Sequence, residues 1–546
     1  MLRPRDLTTV AGLAAGLLSA TAGAGWQPVL TYAPHQNGGV MILLSDGTVL
    51  CKTYAGGNDA YGNTWDRLTP ALNGSYSQGT WSSVAPMINT RLYFSSQLLR
   101  DGRLYVAGGE YGTGLAAGEV YDPVANTWTL TPAPGANVSD ANSEILPDGR
   151  VLQALVAGSL TTNLLWNPAT NTYSAGPSCL GIHNESTWTK MADGSWIMVD
   201  RHALTAERYV PASNTWVRAA DCPVAMYDDF GYETGGALLL PDGRVFFMGG
   251  TGHTAYYTGP AAGQTLGSWT TGPDIPGGRG VPDGPAAMLP NGKVFLVASP
   301  APTSADHFPV GSTFYEFNPA TGVYTAVVAP GGLAVHNSST YVWTFLSLPD
   351  GSVLACQQGS RTYWRWVSDG APLDAWRPVV TGMQRDPATG TWTISGRQLN
   401  GMSEGSSYGD DWQMNTNYPV VRLVNAAGDT YWGRTSNWSS TGVQTGAQVV
   451  TTQMKLPASV PPGTYQMYVA ASGISSLPKP IFNPKPNCLA DLNVDGVVDG
   501  NDLGILLSAW GLPGNALTGG GDLDGNGTVD GGDLGLLLSA WGNCPP

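Results

Sequence analysis

The sequence predicts a mainly β protein in which a seven-bladed β-propeller is followed by a β-sandwich and then by a small α-helical module. The first observation is composition: the 546 residues include 73 Gly, 40 Pro, 19 Trp and 23 Tyr, and only 12% of them are charged. Such a mix is typical of many short strands joined by tight turns. The second observation is a turn signal that recurs seven times along the chain. The third is a pair of nearly identical acidic stretches close to the C-terminus.

The first 24 residues have the features of a secretory signal peptide. Arg3 and Arg5 supply the positive start, and residues 10–18 form an apolar run that is too short to span a bilayer. Small residues at 20–24 offer cleavage sites. We therefore expect a secreted protein, extracellular or at the cell surface, with no transmembrane segment in the mature chain. Six Cys in an exported chain also predict disulfide bonds.

The propeller prediction depends on a repeated unit of an apolar run, Asp-Gly or Asn-Gly, and a second apolar run. Asp-Gly and Asn-Gly accept the positive φ angles of a two-residue hairpin turn, so the flanking runs are expected to be strands. Between these turns, an aromatic residue with Asn-Pro or Asp-Pro, followed by Asn-Thr-Trp, predicts two more strands. Four strands per repeat is the pattern of a propeller blade. The seven turns lie at residues 46–47, 101–102, 148–149, 193–194, 242–243, 291–292 and 350–351.

The position of one aromatic residue predicts how the ring closes. Trp81 precedes the turn residue Asp101 by 20 residues, and Trp26 precedes Asp46 by the same 20, although no blade lies before it. We therefore expect the segment around Trp26 to supply the outer strand of the last blade, near residues 363–366. Closure of this kind leaves no open sheet edge.

Asp-Gly turns and Asn-Thr-Trp strand ends at this spacing resemble kelch repeats over residues 26–374, which implies a kelch-like propeller domain at 25–374. Loops from the outer strand of one blade to the inner strand of the next lie on one face of a propeller, around its channel mouth. Ordinary hydrophilic loop composition explains any one polar residue there, but three of the six His fall in equivalent loops, which favours a functional face. The candidate binding residues are His35, Arg91, Asp140, His183, Glu185, Tyr227, Asp228, Arg279 and His336.

Two disulfides are candidates within the propeller. Cys179 and Cys222 each lie six residues after the outer-strand aromatic residue, in adjacent blades. Cys51 and Cys356 are near-equivalent in the first and last blades.

Residues 375–482 have a different character, with strand-like runs at a spacing that suggests an immunoglobulin-like (Ig-like) sandwich. Leu-Asn-Gly at 399–401 and Tyr-Gly-Asp-Asp at 408–411, ahead of Asn-Tyr-Pro at 417–419, resemble the domain that follows the propeller in galactose oxidase-like proteins. A Pro-rich linker at 483–487 then leads into the tail.

The tail, residues 488–546, contains two acidic loops 31 residues apart. Oxygen-bearing side chains occupy loop positions 1, 3, 5, 9 and 12, Gly occupies position 6, and position 7 would supply a backbone carbonyl, which is the EF-hand order for calcium. The alternative, a solvated acidic linker, does not explain two complete loops. The expected ligands of two Ca²⁺ ions are Asp491, Asn493, Asp495, Val497, Asp499 and Asp502, then Asp522, Asp524, Asn526, Thr528, Asp530 and Asp533.

Asp at position 12, where an EF-hand has Glu, resembles dockerins. A short helix is expected after each loop, and Cys488 and Cys544 are expected to clasp the ends. The helices carry matching apolar residues, which are either a shared core or a surface for a cohesin-like receptor. These residues are Leu503, Leu506, Leu507 and Trp510, matched by Leu534, Leu537, Leu538 and Trp541.

These features predict a secreted modular protein whose propeller binds carbohydrate or a cell-surface partner and whose tail attaches to a cohesin-like or cell-envelope receptor. Because dockerins imply polysaccharide catabolism, a carbohydrate-active enzyme (a glycoside hydrolase or lyase) is the main alternative. A galactose oxidase-like oxidase ranks third: that family takes Tyr, Cys and His as copper ligands, one His coming from the domain after the propeller, and no His follows His336. Copper is therefore not expected. The net charge of −15, with no basic stripe, argues against nucleic acid.

Overall fold

The computed structural model describes residues 24–54, 60–138, 142–155, 161–184, 186–408, 414–514 and 520–545. The predicted signal peptide lies outside these residues except for Ala24. Within these ranges no helix combines the length and the apolar character that a membrane span requires.

Seven antiparallel sheets of four successive strands confirm the predicted seven-bladed propeller. The first strands of neighbouring blades contact one another, so they line the central axis. Blades 1 and 2 comprise Met41–Leu43, Val49–Lys52, Trp65–Thr69 and Thr80–Ser83, then Ser95–Leu98, Leu104–Ala107, Gly118–Asp122 and Thr127–Leu130. Blades 3 and 4 comprise Ser143–Ile145, Val151–Ala154, Asn163–Asn167 and Thr172–Ala175, then Thr189–Lys190, Trp196–Val199, Ala206–Val210 and Thr215–Arg218.

Blades 5 and 6 comprise Thr234–Leu239, Val245–Gly249, Thr254–Thr258 and Ser268–Thr271, then Pro285–Met288, Val294–Pro300, Thr313–Asn318 and Val323–Val327. Blade 7 comprises Trp343–Ser347, Val353–Gln357 and Tyr363–Val367, with Gly25–Pro28 as its fourth strand. Two short strands, Arg91–Leu92 and Tyr111–Gly112, pair with each other, and Arg279–Gly280 pairs with a blade 6 strand. Two 3₁₀ turns lie at Pro330–Gly332 and Asp374–Trp376.

The N-terminal strand closes the ring as predicted. Trp26 is opposite Trp366, and Gly25 is opposite Val367, in an antiparallel pair. The Trp26 ring also packs against Phe295 and Phe314 of blade 6, with centroids 5.5 and 5.4 Å away. Blade 7 is therefore built from both ends of the propeller sequence, which leaves no open edge between blades 6 and 1.

The recurring Asp-Gly signal forms a different turn from the one predicted. In blade 1, the amide of Leu44 donates to the carbonyl of Thr48 (2.8 Å), and Gly47 donates back to Leu44 (3.0 Å). Only the glycine has positive φ (75°), while Asp46 does not. This is a three-residue hairpin loop whose left-handed glycine forms a bulge, not a two-residue turn. The same bonds recur in all seven blades.

A C-terminal β unit follows the propeller and lies against its hairpin-turn side. Arg434 forms an ion pair with Asp46, and Gln444 donates to the carbonyl of Leu240 (2.6 Å). Strands Val379–Arg385 to Lys479–Asn483 form one eight-stranded antiparallel set around an apolar core. The Ig-like assignment stays a prediction. The strands are Val379–Arg385, Trp392–Arg397, Val420–Val424, Thr430–Ser436, Val449–Lys455, Gly463–Ala471, Ile474–Ser475 and Lys479–Asn483.

A segment of this unit enters the propeller channel; we call residues 399–408 with 414–418 the channel segment. Its strand Ser406–Tyr408 pairs with the inner strand Pro285–Met288 of blade 6. The Ser406 hydroxyl also accepts from the amide of Ser347 on the inner strand of blade 7 (3.1 Å). The channel segment thus fills the axis from the side opposite the loop face.

A buried charge cluster holds the channel segment. Lys190, on the inner strand of blade 4, lies 2.8 Å from Glu144 of blade 3 and 3.4 Å from Glu404 of the channel segment. Its ammonium also donates to the carbonyl of Thr441 (2.9 Å). Burial and the neighbouring Glu144 raise the pKa of Glu404 to about 8. Glu404 therefore stays largely protonated at neutral pH.

The tail contains two nine-residue helices, α1 (Gly500–Ser508) and α2 (Gly531–Ser539), and a short strand pair of Val497–Val498 with Gly542–Asn543. The predicted disulfide between Cys488 and Cys544 is present.

The other two predicted disulfides are wrong. Cys179, Cys222, Cys51 and Cys356 are all buried thiols that form no disulfide. Equivalent positions in adjacent blades give a shared place in the repeat, but equivalence alone does not bring two sulfur atoms within bonding distance.

Candidate functional site

The face of the propeller opposite the hairpin turns is formed by two sets of loops. One set joins the outer strand of a blade to the inner strand of the next, as predicted, and the other joins the second and third strands within a blade. All six His of the chain lie in these loops. His35, His183 and His336 belong to the first set, and His202, His253 and His307 to the second.

Three predicted site residues meet carboxylates on the third strand of a blade. The imidazole of His35 lies 2.9 Å from Asp66, that of His183 lies 2.8 Å from Glu207, and Arg91 lies 2.9 Å from Glu119. The carboxylates also accept backbone amides of the same loops; the residues involved are His35, Ile88, Asn89, Leu180 and Gly181. His183 and Arg91 are fully buried, so these pairs fix the loops instead of facing solvent.

The remaining predicted site residues differ in their burial and hydrogen bonding. Asp228 is buried and accepts amides of its own loop, including Phe230 (2.7 Å). Arg279 donates to the carbonyl of Gly311 (2.6 Å), and His336 bonds to Ser338 (2.9 Å). Tyr227 is half-buried, with its ring 6.1 Å from that of Tyr232. Asp140 and Glu185 lie outside the described residues.

The loop face also carries ring stacks that the sequence analysis missed. The loop before blade 5 contributes Tyr232, which stacks on His202 at 4.2 Å and 20°, and Phe230, which stacks on His307 at 6.4 Å and 26°. Phe230 and Tyr232 are 42% and 38% exposed. One loop therefore bridges histidines of blades 4 and 6 with partly exposed aromatic faces. The sequence feature that could have predicted these stacks is the presence of three His in the loops between the second and third strands of the blades.

Three non-glycine residues on this face have left-handed backbones at one equivalent position. Tyr93, Tyr232 and Asp283 have φ of 47°, 64° and 45°, and each lies two residues before an inner strand. Such conformations are costly for residues with side chains and cluster at functional sites. Tyr93 accepts a hydrogen bond from Gln358 (3.1 Å), which joins blades 2 and 7 across the channel mouth.

The two acidic loops of the tail have nearly the same internal hydrogen bonds. Position 1 accepts the amide of position 6: Gly496 to Asp491 (2.9 Å) and Gly527 to Asp522 (3.1 Å). Both glycines have positive φ, 95° and 97°. Position 12 also caps the following helix, because Asp502 accepts the amide of Asp499 at 2.8 Å and the second loop repeats this bond.

The acidic residues of the second loop are arranged in a way that suits a calcium ion. Asp522, Asp524 and Asp533 each offer an oxygen within 4.8 Å of the others. Oδ1 of Asp522 is buried without a hydrogen-bond partner. Burial, with Asp533 and Asp524 nearby, raises the pKa of Asp522. An unpartnered carboxylate oxygen among other carboxylates and loop amides suits a hard cation, so the residues fit Ca²⁺.

The helix faces of the tail are only partly core. Leu506 and Leu537 are fully buried in the same apolar core of the tail. In contrast, Leu507 and Leu538 are 50% and 52% exposed. The side chains of Trp510 and Trp541 are exposed to a similar extent, 46% and 50%. The exposed Leu and Trp of each helix therefore form two equivalent apolar surfaces.

Comparison with known proteins identifies the propeller sequence and fold. The Kelch motif family matches residues 100–135. Kelch-like protein 33 of Homo sapiens is 37% identical over 79 residues, which are 14% of this chain and 14% of that protein. A solved structure described as a novel fungal alcohol oxidase of the AA5 family, in complex with copper, covers 84% of this chain and 99% of its own, with TM-score 0.50 and 13% identity. At that identity the likeness shows the fold alone.

Two described side chains at the channel mouth that could ligate copper, Tyr93 and His336, are hydrogen-bonded within the protein. Among the described residues, groups of three His, Cys, Asp or Glu side chains that could share an ion occur in the tail and at Cys179, His183 and Glu207, away from the axis. At the mouth, Tyr93 is hydrogen-bonded to an amide, and His336 is bonded to a serine hydroxyl. The absence of copper stays a prediction.

Proposed function

We propose that this is a secreted attachment protein whose tail binds two Ca²⁺ ions and docks to a cohesin-like or cell-envelope receptor, while its propeller binds carbohydrate. In this proposal residues 25–374 are the propeller domain, 375–482 an Ig-like domain, 483–487 a linker and 488–546 a dockerin-like module. The observation that carries the proposal is the duplicated Leu and Trp surface, half exposed, above two acidic loops of the same geometry.

Calcium would organise that surface. Each loop leads directly into its helix, and the position 12 carboxylate serves both the loop and the helix N-terminus. Asp491, Asn493, Asp495, Asp499 and Asp502, with the Val497 carbonyl, would hold one ion; Asp522, Asp524, Asn526, Asp530 and Asp533, with the Thr528 carbonyl, would hold the other. Binding would offset carboxylate repulsion in a module with a small core. Duplicated apolar anchors are also what a protein receptor needs at the centre of an interface.

The loop face supports carbohydrate as the propeller ligand. Pyranose rings pack their C–H faces on aromatic side chains, and Phe230 and Tyr232 present such faces beside the polar edges of His202 and His307. The channel segment fills the other side of the axis, which leaves the loop face as the open end.

The test uses the full chain with calcium and, separately, EGTA. A glycan array should give specific signals that Tyr232→Ala and Phe230→Ala abolish, while Tyr111→Ala, an exposed tyrosine on a loop of blade 2, leaves them unchanged. Immobilised tail should bind cohesin-type receptors only with calcium, and Trp510→Ala with Trp541→Ala should remove this binding. Absence of both interactions would overturn the proposal.

One observation favours the enzyme alternative. Glu144 and Glu404 lie on either side of Lys190, and a pair of neighbouring carboxylates is a common device of acid–base catalysis. Both carboxylates are buried, however, and Glu404 belongs to the channel segment itself, so a polysaccharide has no access to them. Release of reducing ends from a bound glycan, lost in Glu144→Gln, would make this protein a hydrolase instead.

A further inference from the structure

We propose that Cys179, His183 and Glu207 form a zinc site at the junction of blades 3 and 4. Each side chain offers one ligand atom, and these atoms lie within 4.8 Å of one another. All three are buried, with exposures of 4%, 0% and 3%. Cys179 follows the outer strand of blade 3, His183 lies in the loop to blade 4, and Glu207 lies on the third strand of blade 4.

The donor set is chemically that of zinc. A thiolate, an imidazole and a carboxylate are the three ligand types that Zn²⁺ takes in proteins, commonly with water as the fourth. His183 Nε2 and Glu207 Oε1 are 2.8 Å apart, close to the roughly 3 Å between two ligands on one zinc.

A second carboxylate makes the site strongly acidic. Asp200 is 7% exposed and accepts the amide of Ile182 (3.0 Å). Gly181 lies between the two acids: a Cβ there would be 2.5 Å from Asp200 Oδ2 and 3.3 Å from Glu207 Oε1. Two buried carboxylates therefore share a small space with a single imidazole. A divalent cation would neutralise this excess of negative charge.

The carboxylate ligand is already oriented. Glu207 accepts the amides of Leu180 (2.8 Å) and Gly181 (2.7 Å) in addition to His183. Second contacts of this kind hold metal-binding carboxylates in place. The Cys179 sulfur accepts from the side-chain amide of Asn163 (3.7 Å) and donates to the carbonyl of Gly181 (3.6 Å), so its position is also fixed.

The equivalent loop contacts in other blades lack the features that make this a metal site. In blade 1, His35 meets Asp66 but its side chain is 48% exposed. In blade 2, the position is Arg91, whose guanidinium does not ligate metals. Only the junction of blades 3 and 4, within the described residues, combines the carboxylate with a buried His and a thiol.

The experiment uses the full chain, stripped with chelator and then kept in excess calcium so that the tail loops are filled. Zn²⁺ titration with elemental analysis should give one zinc per chain, and Co²⁺ should give the near-ultraviolet thiolate–cobalt band. Cys179→Ser and Glu207→Gln should each weaken zinc binding by more than about tenfold. Cys222→Ser is the matched control, because Cys222 is a buried thiol at the equivalent place in blade 4, and it should keep both signals.

A cobalt band that persists in Cys179→Ser, or wild-type protein that binds no zinc under these conditions, would overturn the proposal. If Cys179→Ser does not fold, zinc-edge X-ray absorption of the wild-type protein decides instead. One sulfur at about 2.3 Å supports the site, whereas nitrogen and oxygen neighbours alone contradict it.

Discussion

Trp26 donates its indole N–H to the carbonyl of Val328, 302 residues away, at 2.7 Å. The same kind of hydrogen bond occurs in two other blades: the indole N–H of Trp128 donates to the carbonyl of Ala85 (2.8 Å), and that of Trp269 donates to the carbonyl of Ala220 (2.7 Å). In each case the acceptor follows the outer strand of the preceding blade. In these three blades the aromatic residue of the repeat therefore bonds one blade to the next.

We expect Trp26→Ala to loosen the N-terminal strand that completes blade 7 and closes the ring. Loss of the indole removes both its packing on Phe295, Phe314 and Trp366 and its hydrogen bond, at a cost of about 3 kcal/mol or more. Trp26→Phe keeps part of the packing but loses the N–H and some ring area, so it should cost less than Trp26→Ala but more than the roughly 1 kcal/mol of the hydrogen bond alone. Denaturant midpoints and limited proteolysis measure both variants. Equal stability of Trp26→Ala and wild type would show that the strand is not needed for closure.

The tail is expected to fold only with calcium. EGTA should remove most of the helical circular dichroism of isolated residues 488–546, and calcium should restore it with two ions bound, because the carboxylates of each loop repel one another without a cation. The disulfide limits the unfolded chain but does not remove this repulsion.

Asp491→Ala and Asp522→Ala should each remove one of these two ions, since position 1 would ligate directly. Ser508→Ala, on an exposed helix end, is the control and should bind both. Equal helicity in EGTA and calcium, or a total below two ions, would count against the prediction.

Stability of the whole chain is expected to fall as pH rises from about 5 to 8 through Glu404. Its pKa in the folded protein is about 8, raised by burial and Glu144 above the ordinary 4.5. The folded state therefore holds a proton that the unfolded state releases, so higher pH favours unfolding. Glu404→Gln mimics the protonated form and should flatten this slope in thermal melts. Glu316→Gln, which removes a carboxylate from the Lys293 pair, should keep the wild-type slope.

Redox copper is not expected. Protein supplied with Cu²⁺ should show no radical absorbance and no peroxide from galactose or glyoxal, since no His follows His336 in the sequence. Stoichiometric peroxide that is lost in Tyr227→Phe or His183→Ala would contradict this.

The periodic features of the fold were predictable because each is local and repeated. Asp-Gly turns and outer-strand aromatics specify blade number, and the 20-residue interval before Asp46 specifies ring closure by Trp26. Side-chain contacts between loops were not predictable in this way. His183 was expected at the channel mouth, yet Glu207, 24 residues later, holds it in the interior. The stacking of Tyr232 on His202 likewise joins loops whose relative position depends on the whole ring.

Ring closure also has a consequence for the timing of biosynthesis. The strand Gly25–Pro28 is synthesised before the first strand of any blade, but Val328, which accepts the Trp26 indole N–H, lies 302 residues after Trp26. At synthesis rates of about 5–20 residues per second, the nascent strand waits roughly 15–60 s for its partner. During that interval blades 1 to 6 can assemble in order, while the first strand must remain unpaired. The ring is thus completed last, when the N-terminal strand Gly25–Pro28 pairs with blade 7, the last blade to be synthesised.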